Sequence, residues 1–169
     1  VSEESARDTL STLRRYFDDA STVHNGTDKK AARTIEKFLT SRDVPTYTGE
    51  TYRGVSVDPS GGQSAKDRIE KIIKSGRWKE PGITSFTSDR GQAPSFASHM
   101  GRSSNAVPVV LVNHRNVSGV PVGHLSQAFT QREVLYPAKT AKKGFRILGH
   151  EVVKNASGKD FYVIRISEK

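Results

Sequence analysis

Val107-Pro108-Val109-Val110-Leu111-Val112-Asn113 reads as a buried strand, because Val109, Val110, Leu111 and Val112 follow one another with no polar residue between them. Strand-forming segments lie on both sides of it. Upstream, Thr46-Tyr47-Thr48, Thr51-Tyr52-Arg53-Gly54-Val55 and Ile83–Ser88 are rich in β-formers. Downstream, Gln131–Tyr136 is a further strand, and Phe145–Val153 and Asp160–Ile166 form an antiparallel pair around the Asn155–Lys159 turn. Asp58-Pro59-Ser60-Gly61-Gly62 is a turn, and its glycine pair lacks the Gly-Lys-Ser/Thr that completes a phosphate-cradling loop.

The periodicity is different at the start of the chain. Leu10, Leu13 and Phe17 recur at helical spacing up to a break at His24-Asn25-Gly26. Ile35, Phe38 and Leu39 make the apolar stripe of a second helix, capped by Thr27 or Asp28, and Pro45 closes the region. A compact helix over Ser64–Ser75 turns Ile69, Ile72 and Ile73 inward and ends at Gly76, and a short one falls over Ala93–Met100. Helices first and strands after indicate an α+β fold, not a repeated βαβ unit. The 169 residues fit one domain, 1–169, with a helical part over 1–45 and a strand-rich core over 46–169.

Composition removes several function classes. Cysteine is absent, so disulfides and cysteine-based zinc sites are excluded. The five histidines (His24, His99, His114, His124 and His150) show no metal-ligand spacing, and no metal is expected. No apolar run approaches the roughly 20 residues that span a bilayer, and Val1–Arg15 is polar and amphipathic, unlike a secretory signal; no membrane partner is expected. The first residue is Val, which fits a domain of a longer chain. The net charge of +9 would draw nucleic acid, an acidic protein face or an anionic small molecule. Its clustering is modest: Lys71, Lys74, Arg77 and Lys79 form one patch and Lys139, Lys142, Lys143 and Arg146 another.

Three segments stand out together: Tyr52-Arg53-Gly54, Thr84-Ser85-Phe86-Thr87-Ser88, and Gln131-Arg132-Glu133-Val134-Leu135-Tyr136-Pro137. Each alone has an ordinary explanation. An Arg after an aromatic is commonly a surface strand residue, a Ser/Thr-rich strand is commonly only a strand, and Gln-x-Glu is usually a solvated edge. In this order and spacing they resemble the Arg–Ser–Glu signature of the toxin-type mono-ADP-ribosyltransferases, from about Thr48 to the C-terminus. A Ser-Phe-Ala triplet at Ser95-Phe96-Ala97 and the N-terminal helices agree with that resemblance.

The resemblance implies a mixed, mainly antiparallel β-sandwich around an NAD-binding cleft, with NAD⁺ as co-substrate. It assigns the catalytic roles to Glu133, Gln131 and Ser85, NAD⁺ contacts to Arg53, Gly54, Ser85, Thr87 and Phe96, and acceptor recognition to Phe129 and Gln131. The residue types suit those tasks. Arg53 offers a planar fork matched to the pyrophosphate, and Gly54 lets the backbone approach a flat ring. A carboxylate at Glu133 stabilises positive charge developing on the ribose, with Ser85 as its orienting hydroxyl and Thr87 on the same strand face. Phe96 has an equal reading as a core residue. The amide of Gln131 both donates and accepts hydrogen bonds, which in the family accompanies asparagine or guanine acceptors rather than arginine. The acceptor is expected to be a macromolecule, a protein ahead of nucleic acid, and the setting that of a secreted or translocated effector in a target-cell cytoplasm; the alternative of another class is a non-catalytic basic binding module, in which the three segments are accidental. An acidic immunity or inhibitor protein is a further expected partner.

Overall fold

The computed structural model describes residues 3–18, 23–91, 105–122, 132–155 and 158–169. The helices are α1 (Glu3–Asp18), α2 (Lys29–Leu39), α3 (Ala65–Ser75) and α4 (Ala138–Lys143). The strands are β1 (Thr51–Val57), β2 (Arg77–Trp78), β3 (Thr84–Thr87), β4 (Val107–Asn113), β5 (Val120–Pro121), β6 (Glu133–Tyr136), β7 (Phe145–Lys154) and β8 (Asp160–Ser167). Two compact units are built from them: Val1–Tyr47 with Lys79–Phe86 and Val117–Lys143, and Thr48–Trp78 with Thr87–Asn116 and Gly144–Lys169.

The first unit forms around the apolar faces of α1 and α2. Asp28 caps α2, its carboxylate accepting from the Ala31 N–H at 3.0 Å, and Ala31, Ile35 and Leu39 turn inward behind it. Leu13 and Tyr16 of α1 join them in a core completed by Ile83, Val120, Val122 and Leu135. The Phe17 side chain lies outside the described residues. β5 runs antiparallel to β6, with Val120 opposite Leu135 and Pro121 opposite Val134. After Pro137 the chain turns into α4, whose first N–H groups, of Ala138 and Lys139, donate to the Glu36 carboxylate of α2 at 2.7 and 3.1 Å. A carboxylate there satisfies donors that a helix start leaves open.

In the second unit the continuous apolar run does become a central strand. β4 lies between β1, antiparallel to it, and β8, parallel to it, with Gly54 opposite Val110 and Ile164 opposite Leu111. β8 pairs antiparallel with β7, and β2 adds two residues to the far side of β7. Both outer faces of β4 are covered, since Val109, Val110 and Leu111 are consecutive and all buried. α3 starts at Ser64, whose hydroxyl accepts from the Asp67 N–H at 3.1 Å, and stops at Gly76 in the left-handed region at φ 79°. Of its three isoleucines only Ile69 is fully buried; Ile72 and Ile73 are half-buried.

Some elements differ from the sequence expectation. Thr46-Tyr47-Thr48 is not a strand: the Tyr47 N–H donates to the Gly119 carbonyl at 2.8 Å, outside any strand. β2, β5 and α4 were not foreseen, because two-residue strands and a six-residue helix carry no periodic signal. The helix expected over Ala93–Met100 lies outside the described residues. Among the described residues no helix is long and apolar enough to cross a membrane.

Candidate active site

Ser85 and Glu133 meet in the first unit. β3 and β6 are neighbouring strands, and the Ser85 hydroxyl donates to Glu133 Oε1 at 2.5 Å. Every residue of β6 is buried, so Glu133, itself only 8% exposed, sits at the end of an apolar strand. Phe86 and Tyr136 meet edge-on with ring centres 4.8 Å apart, bracing the two strands just behind the pair. Burial pushes the Glu133 carboxyl above its ordinary value, and the Ser85 hydrogen bond opposes that rise without cancelling it. A carboxylate held in one orientation with little water around it acts strongly on any positive charge beside it.

Of the strand expected over Gln131–Tyr136, Glu133–Tyr136 forms, Arg132 is not part of it, and Gln131 lies outside the described residues. Arg132 has φ 43°, in the left-handed region that a side chain with a Cβ rarely adopts. Pairing therefore begins at Glu133, one residue after a sharp change of direction. Strain of this kind persists only where surrounding structure imposes it, and it concentrates at functional positions.

The entry to β3 is held by residues that no motif announced. His24 Nδ1 donates to the Ile83 carbonyl at 3.0 Å, and its Nε2 lies 3.3 Å from Glu80 Oε2. The Thr84 hydroxyl donates to the Gly82 carbonyl at 2.8 Å. A Cβ at Gly82 would come within 2.5 Å of the His24 main-chain oxygen, so only glycine fits this approach. A lone histidine in the sequence gave no sign of this role.

Arg53 and Gly54 lie on β1 of the second unit, opposite Leu111 and Val110 of β4, with Arg53 half-buried. Thr87, buried, stands opposite Tyr52, and its hydroxyl oxygen accepts from the Asp89 N–H at 3.0 Å. Beside Arg53, the Tyr52 hydroxyl donates to Glu50 Oε1 at 2.8 Å while Glu50 Oε2 meets His114 Nδ1. Those two hydrogen bonds, Tyr52 first, hold the Glu50 carboxyl below its usual value. Phe96, Phe129 and Gln131 lie outside the described residues. Among the described residues no three His, Asp or Glu side chains group as metal ligands.

Several solved structures share this fold. The Vis toxin, an ADP-ribosyltransferase from Vibrio splendidus, is 18% identical over 95% of this chain and 72% of its own, with a TM-score of 0.64. Plx2a, an ADP-ribosyltransferase toxin from Paenibacillus larvae, is 16% identical over 99% of this chain and 86% of its own, with a TM-score of 0.64. Exoenzyme S from Pseudomonas aeruginosa, bound to carba-NAD in complex with human 14-3-3 protein beta, is 17% identical over 98% of this chain and 72% of its own, with a TM-score of 0.57. At such identities the likeness is one of fold. No protein-family model and no curated protein matches the sequence.

Proposed function

We propose that the chain is a mono-ADP-ribosyltransferase, a toxin or effector domain that cleaves NAD⁺ and passes ADP-ribose to a side chain of a target protein. The observation that carries this reading is the buried Glu133 carboxylate, held by the Ser85 hydroxyl, in a chain with the fold of ADP-ribosyltransferase toxins. The bond between ribose C1′ and the nicotinamide nitrogen breaks, and its electron pair leaves with nicotinamide. Positive charge then spreads over C1′ and the ring oxygen, as in glycoside cleavage. The acceptor atom attacks C1′ and loses its proton, closing the reaction.

In this reading Glu133 stabilises the cation and Ser85 fixes the rotamer from which it does so. Arg53 is assigned the pyrophosphate, and Gly54, Thr87 and Phe96 are assigned the remaining NAD⁺ contacts. Gln131 and Phe129 are assigned to the acceptor. The net charge of +9 favours a second reading in which the acceptor is nucleic acid.

Labelling a cell lysate with tagged NAD⁺, using wild type and Glu133→Gln in parallel, tests both. Label on protease-sensitive material, reduced about 100- to 1,000-fold in a folded Glu133→Gln variant, is the expected result. Near-normal labelling by that variant overturns the assignment of Glu133. Label removed by nuclease and not by protease selects the second reading.

A further inference from the structure

We infer that the β2–β7 edge of the second unit is a nucleic-acid-binding face on which Arg77 and Arg146 grip backbone phosphates. In the sequence these arginines belong to two separate basic patches. The fold unites them: Arg77 and Arg146 are direct partners across the antiparallel β2–β7 pair. Residues so placed have Cα atoms about 4.5–5.5 Å apart and side chains on one face.

Like charges in that position repel, which is unfavourable unless an anion stands between them. Both side chains are exposed, and each is steered by the main chain. Arg77 Nη1 donates to the Gly144 carbonyl at 3.1 Å, and Arg146 Nη2 donates to the main-chain oxygen of Lys169 at 3.2 Å. Among the described residues neither guanidinium meets an acidic side chain, whereas Glu50, Glu151 and Asp160 of this unit lie against His114, Arg165 and Lys154. Each fork therefore keeps N–H donors for an incoming oxyanion.

The surroundings add positive charge. Lys71 and Lys74 are exposed on the last turns of α3, which ends at Gly76 immediately before β2. Trp78 and Phe145, the other opposed pair of these strands, are buried, so the pair offers no aromatic anchor. Protein-docking hot spots combine Trp and Tyr with Arg, whereas phosphate contacts need only Arg and Lys, which are the side chains exposed on this pair and the helix before it. The face thus suits a phosphodiester backbone better than an acidic protein. It operates independently of the chemistry at Glu133 and without NAD⁺.

The test is fluorescence anisotropy of a labelled single-stranded RNA, 20 nucleotides long, titrated with purified protein between about 50 and 200 mM salt. Wild type is expected to bind with a steep salt dependence. Arg77→Gln/Arg146→Gln should bind at least about tenfold more weakly at low salt, with a log–log salt slope shallower by roughly 1.4, at about 0.7 per lost contact. Unchanged affinity and slope overturn the inference. So does an equally charged polyglutamate peptide that binds more tightly than the RNA and depends on the same arginines, which would make the face a protein-docking one. Removing a like-charge pair should leave the melting temperature unchanged or higher; if the double variant nonetheless fails to fold, each single variant is expected to lose about half of that slope, and no loss in either overturns the inference.

Discussion

At Glu133 stability opposes the proposed chemistry. Burial raises its pKa, so between the ordinary carboxyl value and the raised one the folded chain holds a proton that the unfolded chain has lost. Stability therefore falls as pH rises through that window, and the full cost stands above it. The proposed role of Glu133 needs the ionised form, so the acid limb of the rate profile should lie above the ordinary carboxyl range. Gln at this position keeps an oxygen for the Ser85 hydroxyl and removes the charge. Glu133→Gln is thus expected to melt above wild type at pH 7–8, with the advantage gone below about pH 4, where both carry a neutral group. Melting curves across that range decide it, and a variant that melts lower than wild type at neutral pH would show an ion stabilised, not penalised, by its surroundings. The meeting of Ser85 with Glu133 was expected from the sequence, because each sits in a segment that has meaning only with the other. His24, Gly82 and the left-handed Arg132 were not, because close approaches and backbone turns between distant segments leave no local pattern.

At the scale of elements, legibility followed length. The seven-residue β4 and the long β7 and β8 repeat their pattern often enough to be read, and their boundaries shifted by only a residue or so. The two-residue strands exist only because a longer neighbour offers them an edge, which is tertiary information. α4 is a sharper case. Its six residues cannot nucleate a helix alone, and the Glu36 carboxylate on its first N–H groups supplies what its own sequence lacks. Glu36→Ala should cost roughly 1.5–3 kcal/mol, the usual worth of hydrogen bonds to a charged group, and lower the melting temperature by several degrees in a chain of this size. Glu36→Gln, with one acceptor oxygen, should recover part of that loss. A thermal melt of the two variants checks it; equal melting of wild type and Glu36→Ala would mean that water caps α4 as well as the carboxylate does.

For the whole molecule, the order of helices before strands was enough to indicate the α+β class, while the composition of each compact unit was not readable. Each unit is assembled from three separate stretches, and periodicity within a stretch does not report which others it meets. Ligand binding offers a whole-molecule measurement that can separate two of the assigned roles. Anything that binds only the folded state stabilises it, by about 2.7 kcal/mol at a concentration 100 times its Kd. For a chain of this size that amounts to roughly 5–10 °C of melting temperature. Using Glu133→Gln as the background prevents consumption of NAD⁺ during the melt. Glu133 is assigned to charge that exists only as the bond breaks, so this variant should keep the full NAD⁺-induced shift. Arg53 is assigned to the pyrophosphate, which is present in the ground state. Adding Arg53→Lys to the same background keeps the charge but loses the bidentate fork, so most of the shift should disappear at the same NAD⁺ concentration. Were Glu133→Gln alone to lose the shift, Glu133 would be a binding residue and not a transition-state one. If the shift instead survives Arg53→Lys intact, Arg53 does not hold the pyrophosphate, and its place on β1 opposite Leu111 is structural.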